Sequence, residues 1–195
     1  MMKTKHIIQL SIIVVVAVIA VWAISINRKN DKPARPKIVK YNPIGMFYTN
    51  LDNWDKVPRQ GRLAQHIKGT IDIFEEYHPG LRTLADFEYI IVTYHFHLVN
   101  EWDEEVTPPG GTKSRGILAS RSPYRPNPIG LTVCRLDSIK GGTLYISGVD
   151  AYDHTPVLDI KPYLPSVDCI EGADKSVEVS MGIDDMINID SVPQE

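Results

Sequence analysis

The stretch IGLTVCRLDSIKGGTLYIS, residues 129–147, reads as two strands and the turn that joins them. Ile129 to Ile139 and Thr143 to Ser147 are rich in β-branched and aromatic residues, which suit a pleated, half-buried surface. Between them, Lys140-Gly141-Gly142 supplies two residues that take positive φ without strain, so the chain is expected to double back as a hairpin. Phe87 to Val99 (FEYIIVTYHFHLV), Arg115 to Ser120 (RGILAS) and Val157 to Ile160 (VLDI) have the same character and are bounded by Gly or Pro. Helical signal is scarce here. Only Leu81 to Phe87 offers an amphipathic turn, with Thr83 as its N-cap and Asp86 as a capping-box partner. Strands do not alternate with long helices, which disfavours a doubly wound sheet, and a mainly antiparallel β-barrel or sandwich is expected.

The first forty residues differ in kind. Ile7 to Ile26 is an uncharged apolar run of about the length that a helix needs to cross a bilayer core. Lys3 and Lys5 precede it, whereas Arg28, Lys29, Lys32, Arg35, Lys37 and Lys40 follow it. By the positive-inside rule the rest of the chain then faces the cytoplasm. A cleaved signal peptide, with Val21-Trp22-Ala23 at the cut, is the rival reading and would make the domain a secreted protein. The expected organisation is a transmembrane helix over residues 1–26, a basic proline-containing linker over 27–40, a folded domain over 41–170 and an acidic extension over 171–195. That extension carries a candidate last strand at Ser176 to Ser180.

Charge is unevenly spread. Of 21 Lys and Arg, 8 precede Tyr41, and of 24 Asp and Glu only Asp31 does, so residues 41–195 carry 13 positive against 23 negative charges, a formal −10. A polyanion would have to be met by a local basic patch, since the net field opposes it. Cys134 and Cys169 lack metal-ligand spacing and read as buried thiols, mildly favouring a reducing compartment.

The usual nucleotide and metal signatures are missing: there is no G-x-G-x-x-G after a strand, no Walker loop, no H-E-x-x-H and no paired C-x-x-C. Three islands remain, Val57 to Gly61 (VPRQG), Ser114 to Gly130, and Asp150 to Tyr163 (DAYDHTPVLDIKPY). Pro123, Pro126 and Pro128 fix φ and lack an N–H, so RSPYRPNPIG (121–130) cannot begin as a central strand and is expected to be a rigid loop. Arg115, Arg121 and Arg125 would present fork-shaped donors suited to carboxylate or phosphate oxygens, and Asn127 adds an amide. Surface pairing with the chain's own acids is the bland alternative for any single arginine. Asp153 with Thr155 offers acceptors for a ribose or amino group; the alternative is an Asx turn closing on its own backbone. His95 and His97, two apart, would share one strand face; no third donor is in view, so no metal is expected.

RGILASRSPYRPNPIGL followed by DHTPVLDIKPYLP resembles the TsaA-like (TrmO, YaeB) family of tRNA methyltransferases, and the resemblance spans about residues 42–168. It implies a small β-barrel, commonly a homodimer, that binds S-adenosylmethionine without a Rossmann fold and methylates N6 of a threonylcarbamoylated adenosine next to the tRNA anticodon. It also implies that Pro58, Arg59, Gln60, His97, Leu98, Arg121, Tyr152, Asp153, His154 and Thr155 contact the cofactor. Lys113, Arg115, Arg125 and Asn127 would then face RNA; no general base is identified. Two positions depart from the family pattern. His154 stands where the cofactor-binding turn usually has Gly, and Ile44 to Tyr48 lacks an arginine and a serine often found there. With the acidic balance and the membrane segment, these departures leave a second reading: a membrane-anchored S-adenosylmethionine-binding module with another small acceptor or a sensory role.

Overall fold

The computed structural model describes residues 15–22, 38–53, 56–107 and 113–173. The chain divides into two units, Met1–Lys40 and Tyr41–Glu195. In the first, residues 15–22 form a helix whose side chains are all exposed. Among the described residues no helix is long and apolar enough to cross a membrane. Much of Ile7 to Ile26 lies outside them, so the membrane assignment rests on the sequence alone. The strand expected at Ser176 to Ser180 also lies outside the described residues.

The second unit is built on β1 (Gly45–Thr49), β2 (Lys68–Ile73), β3 (Tyr89–His95), β4 (Glu105–Val106), β5 (Arg115–Gly116), β6 (Ile129–Lys140), β7 (Thr143–Ser147) and β8 (Pro156–Pro162). Six of these close into an antiparallel barrel in the order β1-β2-β7-β6-β3-β8, while β4 and β5 pair as a separate ribbon. The expectation of a mainly β, small antiparallel barrel therefore holds. Closure leaves no open sheet edge.

Alternation drives the core. Ile90, Val92 and Tyr94 of β3 point inward with Thr132, Cys134 and Leu136 of β6, Leu144 and Ile146 of β7, Ile71 and Ile73 of β2, Phe47 of β1 and Val157 of β8. Each large side chain fully buried this way contributes roughly 1.5–3 kcal/mol. Gly130 also faces inward, and a Cβ there would run into the Tyr94 ring, which occupies its place and packs edge-on against Phe47 at 5.7 Å. Irregular pairing at Thr93/Tyr94 and at Leu136/Ser138 bends strands around the small barrel.

The hairpin forms as read, with Gly141 at φ 56° and Gly142 at φ 91° between the paired Lys140 and Thr143. Other expectations need correction. Arg115 to Ser120 is not one strand: two residues pair with β4 and Ile117–Ala119 turn into a 3₁₀ helix. Phe87 to Val99 is shorter than expected, because the Phe96 N–H turns to Pro128 O and the chain bends at His97. The capping box fails: Thr83 stands at φ 68° with no side-chain cap, its hydroxyl donating to Arg82 O, so only a 3₁₀ turn at Leu84–Asp86 follows. β2 carried no recognised signal in the sequence, since KGTIDI has a glycine and two charges in six residues.

Antiparallel closure sorts the connections by end. The β1–β2, β3–β6 and β7–β8 connections emerge at one mouth, where Thr49 pairs with Gly69, Lys68 with Ser147, His95 with Ile129, and Met46 with Pro156. The β2–β3 connection and the β6–β7 hairpin lie at the other.

Candidate functional site

Every residue predicted from the sequence to contact cofactor or RNA lies on the three connections of that one mouth. Pro58, Arg59 and Gln60 are on β1–β2; His97, Leu98, Lys113, Arg115, Arg121, Arg125 and Asn127 are on β3–β6; Tyr152, Asp153, His154 and Thr155 are on β7–β8. No sequence spacing brings them together. Strand order does.

A buried carboxylate links the first and third connections. Gly61 N–H donates to Asp150 Oδ2 at 2.9 Å, and Tyr94 O–H reaches Asp150 Oδ1 from inside the barrel at 3.4 Å. Burial pushes the Asp150 carboxyl above its usual range, while the donors from Gly61, Thr132 and Tyr94 hold it back. Burial, then the Asp150 charge, likewise raises the Tyr94 phenol. A Cβ at Gly61 would strike Gly148 O, so only glycine lets the VPRQG segment approach closely enough for this bond.

Next to Gly61, Gln60 Oε1 accepts from Arg121 Nη1 at 2.5 Å, bringing the second connection onto the first. Arg121 is exposed beyond that contact. Arg125 behaves differently: its Nη1 donates to Ser120 O at 2.7 Å and Ile117 O at 3.2 Å. That guanidinium braces the loop's own backbone through one of its nitrogens. The prolines and Arg125 together leave 121–128 without strand pairing, as expected of a stiff loop. Lys113, Leu98 and Asn127 are exposed, and Arg115 is half-buried beside β4.

On the third connection Asp153 Oδ1 accepts from Thr49 N–H at 3.0 Å, and its Oδ2 meets His154 Nδ1 at 2.8 Å. The Asx turn closing on its own backbone is thus replaced by a bond across to β1. Thr155 is 2 % exposed, and its Oγ1 is 3.3 Å from His97 Nδ1, so it orients the imidazole rather than facing solvent. His97 is therefore held by the third connection and not by a strand face shared with His95. Burial, then the neighbouring His95 and His154, lowers its pKa and so favours the neutral ring. His154 adopts φ 58°, so the position usually filled by Gly does require the left-handed region, and this chain places a side chain there.

A continuous line of contacts runs from Arg121 through Gln60 and Gly61 to Asp150, then along the turn to Asp153, Thr155 and His97. Asp153 is three positions after Asp150, a reach of at most about 11 Å. The guanidinium and amide at one end suit a carboxylate, and the exposed histidine-lined turn suits a nucleoside. Asp150, Tyr94 and Thr49 were not among the predicted site residues; Asp150 sits inside the DAYDHT island, but its role depends on a glycine 89 residues away. Cys134 is buried, with its thiol pushed up to about 12, chiefly by burial. Cys169 is exposed, contrary to the expectation of two buried thiols.

Residues 46–169 match the model of the tRNA-methyltransferase O N-terminal domain. The chain belongs to this family. An S-adenosyl-L-methionine-binding protein of Archaeoglobus fulgidus is 39% identical over 128 residues, covering 66% of this chain and 91% of that protein. The tRNA (adenine(37)-N6)-methyltransferase of Mus musculus is 37% identical over 134 residues, 65% of this chain but only 31% of the mouse enzyme. The crystal structure of TrmO from Pseudomonas aeruginosa superposes with a TM-score of 0.62 at 30% identity, over 72% of this chain and 62% of that one. The shared region of the tRNA-methyltransferase O family is thus the barrel and its mouth.

Proposed function

We propose that this chain is an S-adenosylmethionine-dependent methyltransferase acting on N6 of adenosine 37 of tRNA, with a threonylcarbamoylated base next to the anticodon as its acceptor. The observation that carries the reading is the contact line from Arg121 to His97 at the mouth shared with named methyltransferases. When bound, S-adenosylmethionine supplies a methyl group already activated by its sulfonium centre. Arg121, steadied by Gln60, offers its remaining donors to the methionine carboxylate, and Arg59 lies on the same segment. Thr155 fixes the ring of His97, and with Asp153 and Tyr152 the turn borders the nucleoside end. The protein's contribution is alignment and exclusion of water, which together account for much of the rate in such transfers. Lys113 and Asn127, exposed on the β3–β6 connection, face outward for RNA.

Ile129 and Leu131, exposed on the outer face of β6, support pairing with a second copy. Anchoring by Ile7 to Ile26 with the barrel in the cytoplasm remains the favoured location on the charge asymmetry. The second reading, a binding module with another acceptor, is supported by the formal −10 of residues 41–195 and by His154.

The test is incubation of the full chain with labelled S-adenosylmethionine and total tRNA, with unmodified transcripts as control. Label in modified tRNA alone is expected; cofactor bound without transfer favours the binding module. Arg121→Ala is expected to weaken cofactor binding about tenfold or more by calorimetry, the loss of a charge-assisted contact. Unchanged affinity removes Arg121 from the site.

A further inference from the structure

Beside the mouth, on the outer wall of the barrel, Tyr48 of β1, Thr70 of β2 and Tyr145 of β7 stand in one cross-strand row. Tyr48 is 39% and Tyr145 41% exposed, and the small Thr70 between them leaves a concavity of about 440 Å³. Thr49, Asn50, Lys68, Gly69 and Asp153 complete its lining. Two strand spacings put the tyrosine backbones roughly 10 Å apart, room for one flat ring system between the two side chains. Neither tyrosine is needed for the core.

We infer that this concavity receives an unpaired nucleobase of the RNA substrate, stacked against Tyr48 and Tyr145. The inference rests on the proposed tRNA activity and extends it to a second contact surface. Three observations carry it. Exposed aromatic rings on a sheet are platforms for splayed bases of single-stranded RNA, whose π-faces stack on them. The nearby cations are suitably placed: Lys68 lines the concavity and Lys140 Nζ lies 5.4 Å from the Tyr145 ring centroid, so phosphates on either side of a seated base meet positive charge. The nearby acid is engaged, since both carboxylate oxygens of Asp153 already have partners in Thr49 N–H and the His154 ring. Asp72, in the next row of the same face, pairs with Met46 and Thr143, and Thr143 pairs in turn with Lys140, so that carboxylate shares its row with the Lys140 cation. With residues 41–195 formally −10, a local stacking surface flanked by lysines answers the need for a patch. Asp153 places it next to the candidate cofactor turn, so a nucleotide flanking the reacting base can reach it.

The experiment measures binding of the full chain to a fluorescent anticodon stem–loop at low salt by polarisation, and to S-adenosylmethionine by calorimetry, for wild type, Tyr48→Ala, Tyr145→Ala and the two Phe variants. Each Ala variant is expected to bind the stem–loop roughly 5- to 100-fold more weakly, the range seen when a stacked ring is removed. The Phe variants should restore binding, and cofactor affinity should not change. Circular dichroism and thermal melts confirm folding. RNA affinity unchanged in folded Ala variants overturns this inference alone. Cofactor affinity falling in step with RNA affinity also overturns it, by giving the concavity to the cofactor's adenine. A wild-type chain that binds cofactor but no RNA overturns both this inference and the proposed tRNA activity.

Discussion

His154 carries a strain that can be weighed directly. A non-glycine residue in the left-handed region costs about 1–2 kcal/mol. Against this stand its contact with Asp153 at 2.8 Å and an edge-on packing with Tyr48 at 5.1 Å between centroids, at a side chain 66% exposed, where solvent weakens polar contacts. The strain should win: His154→Gly is expected to raise stability by about 0.5–1 kcal/mol in denaturant melts, whereas His154→Ala keeps the strain, loses both contacts and lowers it. Equal destabilisation by both would show that the ring contacts dominate. Asp150 gives a pH signature. Its carboxyl is raised in the folded state above the ordinary 3.8, so between those two values the native chain holds a proton that the unfolded chain has released. Stability from this group is therefore greatest at low pH and is lost as pH rises through that window. Asp150→Asn has no such titration, so wild type should gain on it as pH is lowered through the window. Parallel stability curves for the two proteins would assign the pH dependence elsewhere.

At the level of elements, the β6–β7 hairpin depends on two glycines for different reasons. Gly141 has φ 56° and open space around it, so Ala there meets only backbone strain of about 1 kcal/mol. Gly142 has φ 91°, and a Cβ would enter the His78 ring, whose Nε2 is 2.9 Å from Ile73 O and is not free to swing away without losing that contact. Gly142→Ala is expected to cost about 2 kcal/mol or more, at least twice the effect of Gly141→Ala, by chemical denaturation. Equal costs would mean that His78 moves easily. The loop over 121–128 shows the same division of labour between neighbours. Arg125 closes on Ile117 O and Ser120 O, which leaves Arg121 as the guanidinium turned to Gln60 at the mouth.

For the whole barrel, the seams are unequal. β3 pairs with β6 from Tyr89↔Arg135 to His95↔Ile129, whereas β1 meets β8 only at Gly45↔Val157 and Met46↔Pro156. The bonds of Ile44 N–H to Val157 O, Phe47 N–H to Thr155 O and His154 N–H to Phe47 O extend that shorter seam. Native-state hydrogen exchange should find Ile44, Phe47 and His154 amides opening at lower free energy than those of Ile90 and Val92. Similar protection at both would mean that the barrel opens only as a unit. The seam ends at the β7–β8 turn that holds His97, so its opening would loosen the candidate site before the core.

The sequence by itself determined the strands with clean alternation, the double-glycine hairpin and the three islands, because these follow from local φ preferences, side-chain period and proline's missing N–H. The family was legible as a resemblance carried by RGILASRSPYRPNPIGL and DHTPVLDIKPYLP, not by any local rule. β2 and the failed cap at Thr83 were not, since cross-strand pairing overrode weak or contrary local propensity there. Which arginine braces the loop and which faces the mouth, Asp150 as the link between two connections, and the Tyr48–Thr70–Tyr145 row were decided only by tertiary structure. Arg125 closes on its own loop, but the contact of Arg121 with Gln60, the Asp150 link and the tyrosine row depend on residues far apart in the chain meeting through antiparallel closure, and no local rule encodes which strand lies beside which.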